Sequence, residues 1–163
     1  MATISEVTNA PLSGVQTVDA LLDDGPAWNY QTVTGGNVLY FSFVTDTSNP
    51  AYISNVSSFT STQRSSTYQA ISYIASVTGI DFIETSNLSQ AQFTFQSADI
   101  LLSGTAGYCS WTYSYTSSGS TVTSYRANTD IYLDVFDYSY NLNPAAGTAG
   151  YQILLHEIGH ALG

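Results

Sequence analysis

The sequence has no lysine and only two arginines, Arg64 and Arg126, against twelve Asp and Glu residues, for a formal net charge of −10. A surface of that sign repels phosphate backbones and anionic lipid headgroups, which argues against nucleic acid and membranes as partners. A single cysteine, Cys109, leaves no internal disulfide framework, so packing or bound ions must supply the stability. No apolar run approaches the length of a membrane span. The first residues, MATISEVTNAPLSG, have neither the basic nor the apolar region of a secretory signal, so an exported protein of this sequence carries its address elsewhere. Met1 before the small Ala2 reads as a translation start, so no N-terminal half is expected to be missing. With charge so scarce, the polar surface falls to Ser, Thr, Asn, Gln and Tyr, a usage more at home outside the cell. A chain of 163 residues suits one domain with its own core.

Along the chain, residues 1–17 are polar and aperiodic and read as a flexible N-terminal arm or a residual propeptide, leaving 18–163 as the folded unit. Residues 18–22 form a short apolar turn that Asp23, Asp24, Gly25 and Pro26 break. Residues 37–44 (NVLYFSFV) are β-branched and aromatic and predict a strand. Between Thr60 and Thr78, a stripe of Gln63, Tyr68, Ile71, Ile74, Ala75 and Thr78 predicts a long helix, capped by Thr60 or Ser61 and closed by Gly79. Residues 80–84 and 92–96 (QFTFQ) alternate like strands. Residues 107–126 are dense in Tyr, Ser and Thr around a break at Ser118, Gly119 and Ser120, which suggests a hairpin or a solvated edge strand. Residues 130–135 (DIYLDV) read as a further strand, and Asn143 and Pro144 precede a final helical stretch. Strand, helix, several strands, helix is an α+β pattern with α/β character.

The chemistry lies in YQILLHEIGHALG, residues 151–163, which holds the only two histidines. Residues four apart on a helix are separated by about 400° of rotation, so His156 and His160 share one face, one turn apart. Two imidazoles so placed grip one ion from a rigid rod. Glu157 projects beside that ion, where a carboxylate takes a proton from an activated water and delivers it to a leaving amine. Tyr151, Leu154, Leu155, Ile158 and Leu162 are the candidates to face the core.

HEIGHALG resembles the first eight residues of the longer metzincin pattern H-E-x-x-H-x-x-G-x-x-H, in which the glycine, here Gly163, turns the chain toward a third His. Its wording is especially similar to serralysin-type secreted bacterial peptidases. VDALLDDGPAW, NVLYFSF, GIDFIE and AQFTF resemble further parts of their N-terminal subdomain. The resemblance implies a twisted, mixed, mostly parallel sheet with an antiparallel edge strand, a backing helix and an active-site helix. It implies zinc held by His156 and His160, with Glu157 as the general base of an endopeptidase. It also implies a polypeptide substrate lying along the edge strand, best matched by Gly107, Tyr108, Cys109, Ser110 and Trp111, with residues 130–135 as the adjacent inner strand. Secretion through a C-terminal address and calcium-binding repeats are implied as well. The third His would fall three positions past Gly163. The chain is therefore expected to be the N-terminal part of a larger protease, weakly active without its C-terminal half.

Plainer readings stand beside these. A non-catalytic, protease-like binding module is the alternative to an enzyme. Cys109 is a substitute ligand, a latent switch or, more simply, a small buried or half-buried apolar side chain. Asp130, Asp134 and Asp137 suggest a calcium loop but lack its glycine spacing, and a solvated edge accounts for them. The Tyr and Trp run at 108–115 is a recognition platform or ordinary strand packing. No nucleophile elbow supports a serine hydrolase.

Overall fold

A computed structural model describes residues 2–9, 14, 25–31, 37–46 and 48–163. Among them, six strands form one sheet: β1 (Val38–Ser42), β2 (Ile53–Ser58), β3 (Asp81–Glu84), β4 (Phe93–Ile100), β5 (Gly107–Ser118) and β6 (Thr121–Asp134). The order is β3-β1-β4-β6-β5. β1 runs parallel to β3 and β4, and β4 parallel to β6. β5 folds back antiparallel on β6 and ends the sheet. β2 pairs antiparallel with β4 beyond the point where β1 leaves it. The fold is thus α+β with a mixed, mostly parallel sheet and an antiparallel edge strand.

Four helices accompany the sheet among the described residues: α1 (Ile4–Thr8), α2 (Trp28–Gln31), α3 (Ser61–Thr78) and α4 (Ala149–Leu162), with a 3-10 turn at Ser139–Leu142. α3 starts at a capping box, in which the Gln63 N–H donates to Thr60 Oγ1 at 3.2 Å and the Thr60 N–H donates to Gln63 Oε1 at 2.8 Å. It ends at Gly79, whose φ of 73° only glycine adopts at little cost.

Strand alternation divides the core in two. On the helix side, Leu39, Phe41, Phe93, Phe95, Ile131 and Leu133 pack with Ala70 and Ile71 of α3 and Leu154, Ile158 and Ala161 of α4. On the far side, Ile53, Ala98, Ile100 and Tyr132 form a smaller cluster with Tyr52 and Tyr108. β4 lies at the centre and is buried on both faces, Thr94 and Gln96 included.

Several expectations are corrected here. The strand expected at 130–135 is not a separate one: residues 130–134 are the last part of the 14-residue β6, which the Tyr/Ser/Thr bias of its first half disguises. β2 was unforeseen, because ISNVSS is short and polar. In α3 the buried stripe is Gln63, Ser66, Thr67, Ala70 and Ile71, while Tyr68 and Thr78 are exposed. Small polar residues fill the close approach to the sheet, and the Tyr68 hydroxyl reaches outward to donate to Glu84 Oε2 at 2.5 Å. Asp130 and Asp134 do not lie on a solvated edge. Asp134 is fully buried, its Oδ1 accepting from the N–H groups of Phe136 and Asp137, and Asp130 bonds the Thr94 hydroxyl.

Of the expected arm, residues 2–9 contain α1, with a capping box between Thr3 and Glu6 and a buried Val7. Thr3 bridges to Thr121 at the tip of the β5–β6 hairpin. The rest of that arm apart from Gly14, and the turn at 18–22, lie outside the described residues.

Candidate functional site

The site is built on α4, which buried amides hold at its start. Thr148 caps the helix by accepting from the Tyr151 N–H at 3.3 Å. Gly150 lies against the 3-10 turn so closely that a Cβ would stand 2.8 Å from the Tyr140 carbonyl oxygen. In that turn, the fully buried Asn141 donates from Nδ2 to the carbonyls of Ala106 at 2.8 Å and Asp134 at 2.7 Å. From α3, Gln63 Nε2 reaches the Asn141 carbonyl at 3.0 Å and Ser97 Oγ at 2.9 Å. Two side-chain amides therefore tie α3, the sheet and the approach to α4 into one frame. None of Gln63, Asn141 and Gly150 stood out in the sequence as part of a site, although Gln63 belongs to the stripe that predicts α3.

Within this frame, His156 and His160 turn their rings toward each other. Their Nε2 atoms are 3.0 Å apart, with ring centroids at 4.5 Å and planes at 88°. One imidazole N–H facing the other's lone pair makes a hydrogen bond, and two lone pairs facing together make a bidentate grip on a cation. Two nitrogens on one tetrahedral zinc are about 3.3 Å apart, given metal–nitrogen distances of about 2.0–2.1 Å, so the observed spacing fits such a grip with little movement. Among the described residues, no group of three or more His, Cys, Asp or Glu side chains could hold a metal, so the donor pair lacks a third such partner there.

Glu157 lies on the buried side of α4, only 5% exposed. Burial pushes its carboxyl up to about 7, with the neighbouring His160 pulling the other way. What makes room for it is Gly107, the first residue of β5. A Cβ at Gly107 would lie 2.7 Å from Glu157 Oε1, 2.8 Å from its Cγ and 2.7 Å from Ile153 Cγ2.

The five residues expected at a substrate edge divide by alternation. Gly107, Cys109 and Trp111 share the helix side, where Cys109 packs half-buried against the core. Trp111 stacks on Tyr113 at 6.0 Å, and Tyr113 on Tyr125 at 5.8 Å, so strand packing occupies these aromatics. Tyr108 and Ser110 belong to the other face, where the Tyr108 hydroxyl meets that of Tyr52 at 2.7 Å. Of the five, Gly107 lies directly against Glu157. Gly163 takes φ 101°, a left-handed turn at the end of α4.

No protein-family model matches the chain. Over 152 residues, 91% of its length, the chain is 28% identical to the metalloprotease AprA of Pseudomonas entomophila (strain L48). The likeness is to a metalloprotease. It extends well beyond the histidine motif, yet the chain spans only 30% of that protein. The relationship it supports is to metalloproteases at large. No helix among the described residues is long and apolar enough to cross a membrane.

Proposed function

We propose that this chain carries the active-site helix of a zinc-dependent endopeptidase of serralysin type, with residues 18–163 forming the N-terminal subdomain of its catalytic unit. The observation that carries the reading is the facing pair of Nε2 atoms at 3.0 Å on α4, with a buried carboxylate next in sequence to His156. His156 and His160 would hold the metal, and a third donor would come from outside the described residues. Bound there, zinc supplies a Lewis acid for the peptide carbonyl and lowers the pKa of water.

The rest is the work of the chain's own groups. Glu157 accepts a proton from water at a carboxylate oxygen and passes it to the amine nitrogen that leaves. Its burial suits both halves of that task, because a group that titrates near neutrality both takes and releases protons readily. Among the described residues no strand pairs with β5 on the side away from β6, and an extended polypeptide would add there as an antiparallel strand beginning at Gly107. An extracellular location, and calcium bound outside the described residues, accompany this reading.

The test is casein hydrolysis by the protein that contains this chain. Hydrolysis should vanish with a chelator and with Glu157→Ala, and return with zinc in the first case only. Undiminished hydrolysis by the alanine variant would remove Glu157 from its role. The isolated chain, with two donors among its described residues, should bind zinc weakly in calorimetry, and tight stoichiometric binding would contradict the two-donor account.

A further inference from the structure

The far end of α4 is held by residues from the opposite end of the sequence. Ala161 is fully buried, and its carbonyl is one of the four at the end of α4 that no later helical N–H can satisfy. Its partner is the indole of Trp28, whose Nε1–H donates to the Ala161 oxygen at 2.8 Å across a separation of 133 residues. The indole is itself fixed. It is buried and stacks on Phe93 of the central strand with centroids 4.9 Å apart and planes inclined by 26°.

Two neighbours on the same segment press the same place. Gly25 approaches so closely that a Cβ there would lie 2.8 Å from Gly163 Cα, 3.3 Å from Gly163 N and 3.6 Å from the His160 carbonyl oxygen. The Ala27 N–H donates to the Tyr125 hydroxyl at 2.8 Å, pinning the segment to β6. Segment 25–28 therefore touches the backbone of residues 160, 161 and 163 while it is anchored to two strands.

We infer that Trp28 is a positioning residue for the histidine pair: its N–H fixes the last turn of α4, and so sets the height and rotation of His160 relative to His156. The inference rests on the metal-binding reading of that pair. A helix end without such a partner frays over its last turn, and His160 lies in that turn. Fraying would loosen one of two donors and leave the other untouched, because His156 sits a full turn deeper. The neighbouring Gly25 completes the clamp by letting two backbones meet.

The experiment uses the chain itself, with cobalt(II) and zinc as probes. Trp28→Phe keeps a ring to stack on Phe93 and removes the N–H together with part of the indole. It should weaken zinc binding by about tenfold in calorimetry, the order of effect expected from losing one buried hydrogen bond, and should shift the visible absorption bands of the bound cobalt. Gly25→Ala should do the same by pushing on Gly163. Tyr52→Phe, which loses the Tyr108 hydrogen bond on the far face of the sheet, serves as a control for general destabilisation and should leave both readouts unchanged. If the wild-type chain binds through the pair, shown by loss of binding in His156→Ala and His160→Ala, but Trp28→Phe leaves affinity and spectrum as they were, the clamp is refuted and the metal site stands. If the wild-type chain does not bind either ion, or binds equally without the histidines, the metal-site reading falls and takes the clamp with it.

Discussion

Gly107→Ala tests the link between the edge strand and Glu157. Its backbone is not in the left-handed region, so alanine is sterically allowed there by the chain itself. Taken alone, the substitution would stabilise by about 0.4–1 kcal/mol through the unfolded state. Against this stand three contacts at 2.7, 2.7 and 2.8 Å, roughly 1 Å inside the distance at which carbon atoms attract. Ile153 is β-branched and has little rotamer freedom in a helix, so the longer Glu157 must give way first. Overpacking of this kind costs about 1–3 kcal/mol, so the net expectation is a loss of about 1–2 kcal/mol in urea unfolding at unchanged slope.

On the general-base role proposed for Glu157, catalysis should suffer more, because displacing a reacting group by about 1 Å lowers rates on the order of a hundredfold. The loss should appear in kcat/KM for a peptide substrate. Shortening the neighbour in Gly107→Ala/Ile153→Val should return part of the stability and little of the activity. An alanine variant as stable as the wild type, with unchanged kcat/KM, would refute the claim that Gly107 is there to seat Glu157.

Two further outcomes follow from the fold. Asp130 is raised above its ordinary value of 3.8 by burial, with Asp46 adding to the rise and the Thr94 hydroxyl opposing it. A raised carboxyl favours the folded state while protonated, so stability is greatest below the unfolded value and falls as pH climbs through the folded one. Urea midpoints measured upward from pH 3.8 should show that decline, and Asp130→Asn should flatten it. Thr60→Ala removes the side-chain half of the α3 capping box and should cost about 1 kcal/mol, read as a lower urea midpoint.

How much of this was legible in the sequence depended on whether a residue's neighbours lie near it in the chain. The α3 cap at Thr60, its stop at Gly79, the hairpin turn at Gly119 and the histidine spacing are all local, and each stands where the pattern placed it. Site geometry made from distant segments left no such trace. Nothing around Trp28 announces that its indole meets Ala161, and nothing around Gly107 announces Glu157. The misreading of Asp130 and Asp134 has the same origin. Alternation placed them on one face of a strand but could not say that the segment before β2 covers that face, where the Tyr132 hydroxyl donates to Asn49 Oδ1 and the Asp46 N–H to Gln96 Oε1. Polar residues in α3 were passed over for the converse reason: Ser66 and Thr67 are buried because a sheet lies close, not because they are apolar.

The contacts on α4 bear unequally on its two sides. Gly150 and Asn141 locate its start, Gly107 admits its middle and Trp28 grips its end, so these points of reference lie on the face toward the sheet. On the outer face, Gln152, His156 and Gly159 are exposed, and a Cβ at Gly159 would touch nothing. A helix gripped in this way holds the histidine pair at a fixed height. On the proposed metal-binding reading, imidazoles held that way would lose little freedom when an ion arrives, which adds affinity without a new contact. The buried acid then follows from the same rotation that faces the histidines outward. Glu157 is one residue, about 100° of turn, past His156, which carries it inward to Gly107 and out of water.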